Sequence, residues 1–430
     1  MTADGGPGPR VGLFGLLGSG NIGNDASMES VLAYLRADHP GAVIDAMCMG
    51  PGRVRTEYGI EAIDLQWYAR HAKRHSGPAA GLLKAASKGI DVFRTLAWVR
   101  RHDAVIVPGM GVLEASLPLK ASGMPYAMFL LGVAGKLTRT KVALVSVGAT
   151  IINQRVTRRL FDVAARAAYY RSYRDNQSKE NMRQRGLDVS RDPVYPDLVF
   201  SLPVPDAGPG DPNIVGLGVM AYYGTNDHRS QADEIHATYL ADMKRFARWL
   251  IDGGRKIRLT VGDGPDNAIA QELVADIREY RPDLDSSWVI AEPAYSFADL
   301  AQAMAPVGLV IATRYHNVIC ALKLGKPVIS LGYSAKNLDL MAGMGLTEFC
   351  QFAHTLDFDR LTEQFTALEQ QSAALRPAIT AGSAASAARL REQFTALSGL
   401  LFPVTAGRAD TGRKTTARPA RRPARIRSRV

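Results

Sequence analysis

The sequence predicts an α/β protein of two Rossmann-like domains joined by a linker, with C-terminal helices and a disordered basic tail. Three observations carry that expectation. Short β-rich runs alternate with helical stretches from Arg10 to about Pro205, the pattern of parallel strands with right-handed crossovers. A stretch rich in proline and glycine, LPVPDAGPGDPN at 202–213, then interrupts every period. Beyond it the same alternation starts again and continues to about residue 345.

In the first half, strands are expected at 11–15, 43–49 (VIDAMCM), 104–108, 141–147 (KVALVSV) and 169–173, with helices at 25–37 and 155–168. In the second half, strands at 213–220, 256–261, 288–291, 307–313 and 327–333 alternate with helices at 231–252, 266–280, 296–304, 317–324 and 337–345. Helix 231–252 carries Ile235, Tyr239, Met243, Phe246 and Leu250 at the spacing of one buried face. Two separate helices are expected at about 357–372 and 383–399. The domain reading is therefore a disordered segment at 1–9, an N-terminal domain at 10–205 and a linker at 206–213. A C-terminal domain with its helices follows at 214–400, and a disordered basic tail at 401–430. Two Rossmann-like halves of this kind suggest a GT-B-like arrangement, in which the active site lies in the cleft between them.

Composition narrows the class. With 47% hydrophobic and 22% charged residues, the chain is not fibrous, collagen-like or wholly disordered. Cys48, Cys320 and Cys350 form no C-x-x-C pair and leave an odd thiol, which argues against a disulfide scaffold or a Cys-rich zinc module. The N-terminus lacks the apolar core of a signal peptide, and runs such as 126–135 are about half of a membrane span. A soluble, cytoplasmic protein is expected. The net charge of +11 is concentrated: nine basic residues and one acid beyond Gly407 supply +8, leaving +3 for the rest. That balance predicts no nucleic-acid partner. The tail, RADTGRKTTARPARRPARIRSRV, is suited either to docking on an anionic surface at the inner face of the membrane or to solubility alone.

The loop Gly18-Ser19-Gly20-Asn21-Ile22-Gly23 satisfies G-x-G-x-x-G, and Asp45 lies 22 residues beyond Gly23, near the spacing of a ribose-binding acid. On spacing alone this is a dinucleotide fingerprint. Against it, Leu16 and Leu17 separate the strand from the first glycine, and polar Ser19, Asn21, Asn24 and Asp25 fill the turn. A glycine turn at a helix N-terminus suits an anionic ligand in any case. Asn24 or Asp25 could instead serve only as helix N-cap.

A cationic constellation is the sharper chemical signal. Arg314-Tyr315-His316 stands where the strand VGLVIAT gives way to a helix, the carboxyl edge at which open α/β sheets bind ligands. Arginine offers a fork for carboxylate or phosphate, and histidine moves protons near neutral pH. Arg174 occupies a similar strand-to-helix junction in the first half, and Lys336 follows the strand PVISLGY. Converging on one cleft, these cations suit a small, highly anionic substrate. Taken singly, Arg314 could pair with a structural acid and His316 could cap its helix.

With these residues in place, the sequence resembles the polysaccharide pyruvyl transferase family over most of 11–346. The match is carried by Asn21-Ile22-Gly23-Asn24-Asp25, Val107-Pro108-Gly109-Met110-Gly111, Arg174-Asp175-Asn-Gln-Ser178, Asp197 in YPDLVFSL, Arg314-Tyr315-His316, Gly332-Tyr333-Ser-Ala-Lys336 and Met344-Gly345-Leu346. Tyr315 replaces the usual aliphatic residue, and Pro108 and Met110 stand in a normally glycine-richer loop. The resemblance implies transfer of pyruvate from phosphoenolpyruvate to hydroxyls of a sugar in a glycan or glycolipid precursor, forming a ketal and releasing phosphate. It implies His316 as the catalytic residue and Arg174, Arg314, Tyr315 and Lys336 as the donor site. The acceptor is expected on the N-terminal side, against Ser19, Asn21, Gly23, Asn24, Gly109 and Gly111. No metal and no cofactor beyond phosphoenolpyruvate as co-substrate is expected. The alternatives are a nucleotide-sugar glycosyltransferase on the same fold, or a dinucleotide- or glycan-binding protein without catalysis.

Overall fold

The computed structural model describes residues 8–70, 78–114, 120–224 and 226–403. The expected disordered N-terminus at 1–9 and basic tail at 401–430 lie almost entirely outside these residues.

The N-terminal sheet has six parallel strands: β1 (Arg10–Gly15), β2 (Val43–Cys48), β3 (Glu61–Asp64), β4 (Ala104–Pro108), β5 (Lys141–Val147) and β6 (Tyr170–Tyr173), in the order β3-β2-β1-β4-β5-β6. The helices are α1 (Ile22–Asp38), α2 (Pro51–Tyr58), α3 (Pro78–Val99), α4 (Met124–Thr138), α5 (Arg155–Ala167) and α6 (Asn176–Gln184). Five of these strands were legible in the sequence. The missing one, β3, is a four-residue edge strand of sequence EAID that buries only alternate side chains. The apolar run at 126–135 is the interior of α4, packed against α3 and α5 rather than against lipid.

The second sheet repeats the plan. Its strands are β7 (Asp211–Gly218), β8 (Lys256–Thr260), β9 (Val289–Ala291), β10 (Val307–Ala312), β11 (Val328–Gly332) and β12 (Cys350–Phe352), ordered β12-β11-β10-β7-β8-β9 and all parallel. Its helices are α7 (Ala232–Asp252), α8 (Asp266–Tyr280), α9 (Phe297–Met304), α10 (Tyr315–Lys323), α11 (Ala335–Gly343) and α12 (Phe358–Leu401). β7 begins at Asp211, inside the expected linker. The central strands β4, β10 and β11 are buried throughout, as strands covered by helices on both faces must be.

The end of the chain departs from expectation. In place of two helices, one 44-residue helix, α12, runs through Pro377. Its first half packs Phe365 against Phe246 and Trp249 of the C-terminal domain. Its second half crosses to the N-terminal domain, where Gln393 bridges Ser146 and Ser172 and Phe394 stacks on Tyr34 at 4.6 Å. Between Leu368 and Leu390 only Ile379 is buried, because here the helix spans from one domain to the other. A crossing segment has no apolar period to read.

Strand order reverses between β1 and β4 and again between β7 and β10. Loops diverge at such switch points and open a crevice at the carboxyl edge. The two crevices face each other. The backbone N–H of Ile22 donates to Gly262 O across the gap (3.1 Å), and Asn21 Nδ2 donates to Asp263 Oδ2 (2.8 Å). This is the GT-B-like arrangement of two α/β domains around one cleft.

Candidate active site

Loops following strands of both sheets supply the cleft. Arg174 follows β6 directly and stands just before α6, whose N-cap Asp175 accepts from Ser178 N at 2.5 Å. From the other domain, Tyr315 and His316 begin α10 and Lys336 lies in the first turn of α11. These side chains meet. Tyr315 is buried, with the Arg174 guanidinium 5.1 Å and the Lys336 ammonium 5.3 Å from its ring centroid, so each cation lies within reach of a π-face. The Tyr315 departure from an aliphatic residue therefore builds a cation-binding wall.

Glu114, in the loop after β4, joins the two cations. One oxygen accepts from Arg174 Nη2, and Lys336 Nζ lies 3.1 Å from the other. Arg174 also reaches Asp197 Oδ2 at 3.3 Å and approaches Asp175 at 3.8 Å. His316 Nε2 stands 3.7 Å from the same Asp197 oxygen, an ion-pair distance longer than a hydrogen bond. Burial pushes the Glu114 carboxyl up, but Lys336 and Arg174 outweigh it and hold it at about 2. Burial likewise opposes ionisation of Asp197, and His316 and Arg174 bring it well below the carboxylate range. Both acids are anions at any physiological pH.

Glycines make room for this cluster. A Cβ at Gly23 would fall inside the His316 ring, and one at Gly148 would collide with Glu114 and lie 2.6 Å from Arg174 Nη2. At Gly111 it would lie 2.6 Å from Glu114 Oε2. The glycine loop thus contributes close approach to His316. Asn21, rather than Asn24 or Asp25, caps α1, accepting from Asn24 N at 3.2 Å. Asp25 accepts from Gly18 N at 2.6 Å and pins the turn.

Not every expected residue joins the cluster. Arg314 directs Nε and Nη2 onto buried Asp266 at 2.8 and 2.7 Å, the structural pairing that a lone arginine allowed. Among the described residues Nη1 makes no hydrogen bond, and the Arg314 side chain keeps 17% of its surface exposed against 2% for Arg174. The expected acceptor residues also separate. Gly23 and Gly111 wall the cluster, whereas Asn21 reaches Asp263 of the other domain and Ser19 is exposed. Asn24 is half-buried, and Gly109 is buried, with a would-be Cβ 2.7 Å from Ser27 Oγ. Beside it Met110 holds φ at +62°, a left-handed conformation in which glycine would be unstrained.

The dinucleotide reading loses its acid. Asp45 is the third residue of β2, not its last, and sits opposite Gly12. Its carboxylate accepts from Trp98 Nε1 (2.7 Å) and pairs with His102 Nε2 (3.0 Å), away from the glycine loop.

Among the described residues no group of three or more His, Cys, Asp or Glu is placed to hold a metal ion, and no helix is long and apolar enough to cross a membrane. Cys48, Cys320 and Cys350 are free and buried.

Comparisons with known proteins agree with this architecture. A family model described as polysaccharide pyruvyl transferase matches residues 21–335. No curated protein matches the sequence. Among solved structures, a putative UDP-N-acetylglucosamine 2-epimerase from Listeria monocytogenes has a TM-score of 0.57 at 13% identity, over 91% of this chain and 96% of its own. The Anabaena protein HepE in complex with UDP and glucose has a TM-score of 0.53 at 12% identity, over 90% and 99%. At such identities the likeness concerns the fold alone.

Proposed function

The chain belongs to the polysaccharide pyruvyl transferase family, and from that premise we propose that it moves the pyruvyl group of phosphoenolpyruvate onto two hydroxyls of a sugar in a glycan or glycolipid precursor. The observation that carries this reading is the convergence of Arg174 and Lys336, from opposite domains, on the Glu114 carboxylate, with His316 beside Asp197, which Arg174 also contacts. A seat that holds a carboxylate between two cations suits a donor with a carboxylate and a phosphate of about −1.5 to −2.

In this reading Arg174, Lys336 and the free Nη1 of Arg314 hold the donor, and His316 acts as general acid. Its Nε2 is buried without a hydrogen-bond partner, and Asp197 beside it stabilises the imidazolium. The proton adds to the enol CH2, turning it into a methyl group. One sugar hydroxyl attacks the adjacent carbon, its proton replacing the one His316 gave up, and the second hydroxyl closes the ketal as its proton leaves with the phosphate. The acceptor enters from the side of Ser19, Asn21 and Asn24, and the reaction takes place at the cytoplasmic face of the membrane. Phosphate release from phosphoenolpyruvate, assayed across a panel of acceptor glycans, tests the proposal: release that requires both an acceptor and the enzyme is expected. Phosphoenolpyruvate left intact with every acceptor, while a nucleotide-sugar is consumed, would move the assignment to glycosyl transfer.

A further inference from the structure

The cationic cluster already has its full complement of negative charge. Arg174 and Lys336 bring two positive charges, and three carboxylates, Glu114, Asp175 and Asp197, lie within 4 Å of one or the other. A donor carrying a carboxylate and a phosphate cannot be added to such a cluster without strong like-charge repulsion. One of the resident carboxylates has to go.

The surroundings of the three acids identify which one. Asp197 has a fully buried side chain and accepts from Val199 N at 3.1 Å as the cap of the following helical turn. Asp175 is the N-cap of α6, and its side chain is 6% exposed. Both are tied to backbone N–H groups. Glu114 is bonded by its side chain to Arg174 and Lys336, keeps 15% of that side chain exposed, and has the longest stem of the three. Gly111 and Gly148 leave the space in which its carboxylate lies. Two further polar atoms bear on the same place. Arg174 Nε and His316 Nε2 are buried and have no hydrogen-bond partner. A guanidinium N–H and an imidazole nitrogen whose nearest carboxylates stand at 3.8 and 3.7 Å, beyond hydrogen-bond reach, are groups that an incoming anion would satisfy.

We propose that the Glu114 carboxylate is an internal occupant of the donor's anion seat, bridging Arg174 and Lys336 when no donor is bound and leaving when one binds. The proposal rests on the donor reading above for the identity of the natural ligand, but not for the exchange itself, which any small oxyanion would provoke. Glu114 thereby sets the affinity of the seat. It also keeps two buried cations satisfied between turnovers and holds the domains together through Lys336.

The test is calorimetric titration of the full-length protein with inorganic phosphate and, separately, with phosphoenolpyruvate. Glu114→Gln keeps the shape and removes the competing charge, so it should bind inorganic phosphate about tenfold or more tightly than wild type, the equivalent of one charge-assisted contact. Asp339→Asn removes a nearby charge on α11 that is not bonded to either cation, and should change affinity less than about threefold. If Glu114→Gln melts too low to titrate, Glu114→Asp decides, because its shorter stem weakens the bridge and should tighten phosphate binding in the same direction. Unchanged or weaker phosphate binding in a folded Glu114 variant would overturn the proposal and make Glu114 a positioning residue for Arg174 and Lys336. Tighter phosphate binding with no binding of phosphoenolpyruvate to any variant would keep the exchange and remove the donor reading instead.

Discussion

At the scale of single residues, the account turns on His316. Its neighbours are Asp197, the Tyr315 ring edge-on at 5.5 Å, and the bare Cα of Gly23. A general acid contributes about 10²–10⁴-fold, so His316→Gln, which retains a hydrogen-bonding group but no transferable proton, should lose turnover on that order while donor affinity changes little. Gly23→Ala provides an independent check. It leaves the imidazole chemistry intact but forces the ring from its place, and should lower turnover at normal donor affinity. A helix-capping role would instead show a lowered melting temperature with turnover per folded molecule preserved. Measuring both quantities on both variants separates the two. The positions of Arg174, His316 and Lys336 at or just before the starts of helices were legible in the sequence, because strand-to-helix junctions mark the carboxyl edge of a sheet. Glu114, Gly148 and Asp266 were not. Nothing local distinguishes a glutamate in a loop from a solvated one, and its meaning comes from Arg174, 60 residues away, and Lys336, 222 residues away.

At the scale of elements, α10 links the chemistry to the connection between domains. Its first turn carries Tyr315 and His316, and at its other end Lys323 Nζ donates to Phe200 O at 2.7 Å. Just beyond, fully buried Lys326 donates to Gly208 O (3.1 Å) and Ala305 O (2.8 Å), fastening the chain just before β7. Burial lowers both ammonium groups from 10.5 to about 8. The unfolded chain therefore binds more protons than the folded one between those values, and each lysine's contribution to stability rises as pH goes from about 8 to about 10.5. Lys323→Met should lack its share of that rise, so its melting temperature should fall further behind wild type across the window. A constant difference would mean that Lys323 is not desolvated in solution. Regular elements were the most readable part of the sequence, with β4 and β5 matching at both ends. The stretch of α12 at 373–382, between the two expected helices, was unreadable because between Leu368 and Leu390 only Ile379 is buried.

For the whole molecule, the cleft is closed by contacts that no domain makes alone: Ile22 with Gly262, Asn21 with Asp263, Glu114 with Lys336, and Phe200 with Lys323. Two α/β halves could be read from alternation, but which loops face each other could not, since that depends on how the sheets pack. The +8 of charge beyond Gly407 lies outside this frame. If it docks on anionic surfaces rather than serving solubility alone, a chain ending near residue 405 should keep its turnover on a soluble acceptor and lose salt-sensitive binding to anionic vesicles, whereas equal vesicle binding by both forms would remove that role. The most direct measurement of the central claim is the product formed from phosphoenolpyruvate and an accepted sugar in D2O, examined by mass spectrometry and NMR. Ketal formation with protonation of the enol carbon predicts one deuterium in the new methyl group of a pyruvate bridging two sugar oxygens, with one phosphate released for each ketal. A sugar that keeps an unsaturated enolpyruvyl ether, or that gains no pyruvyl group while phosphoenolpyruvate persists, would contradict it.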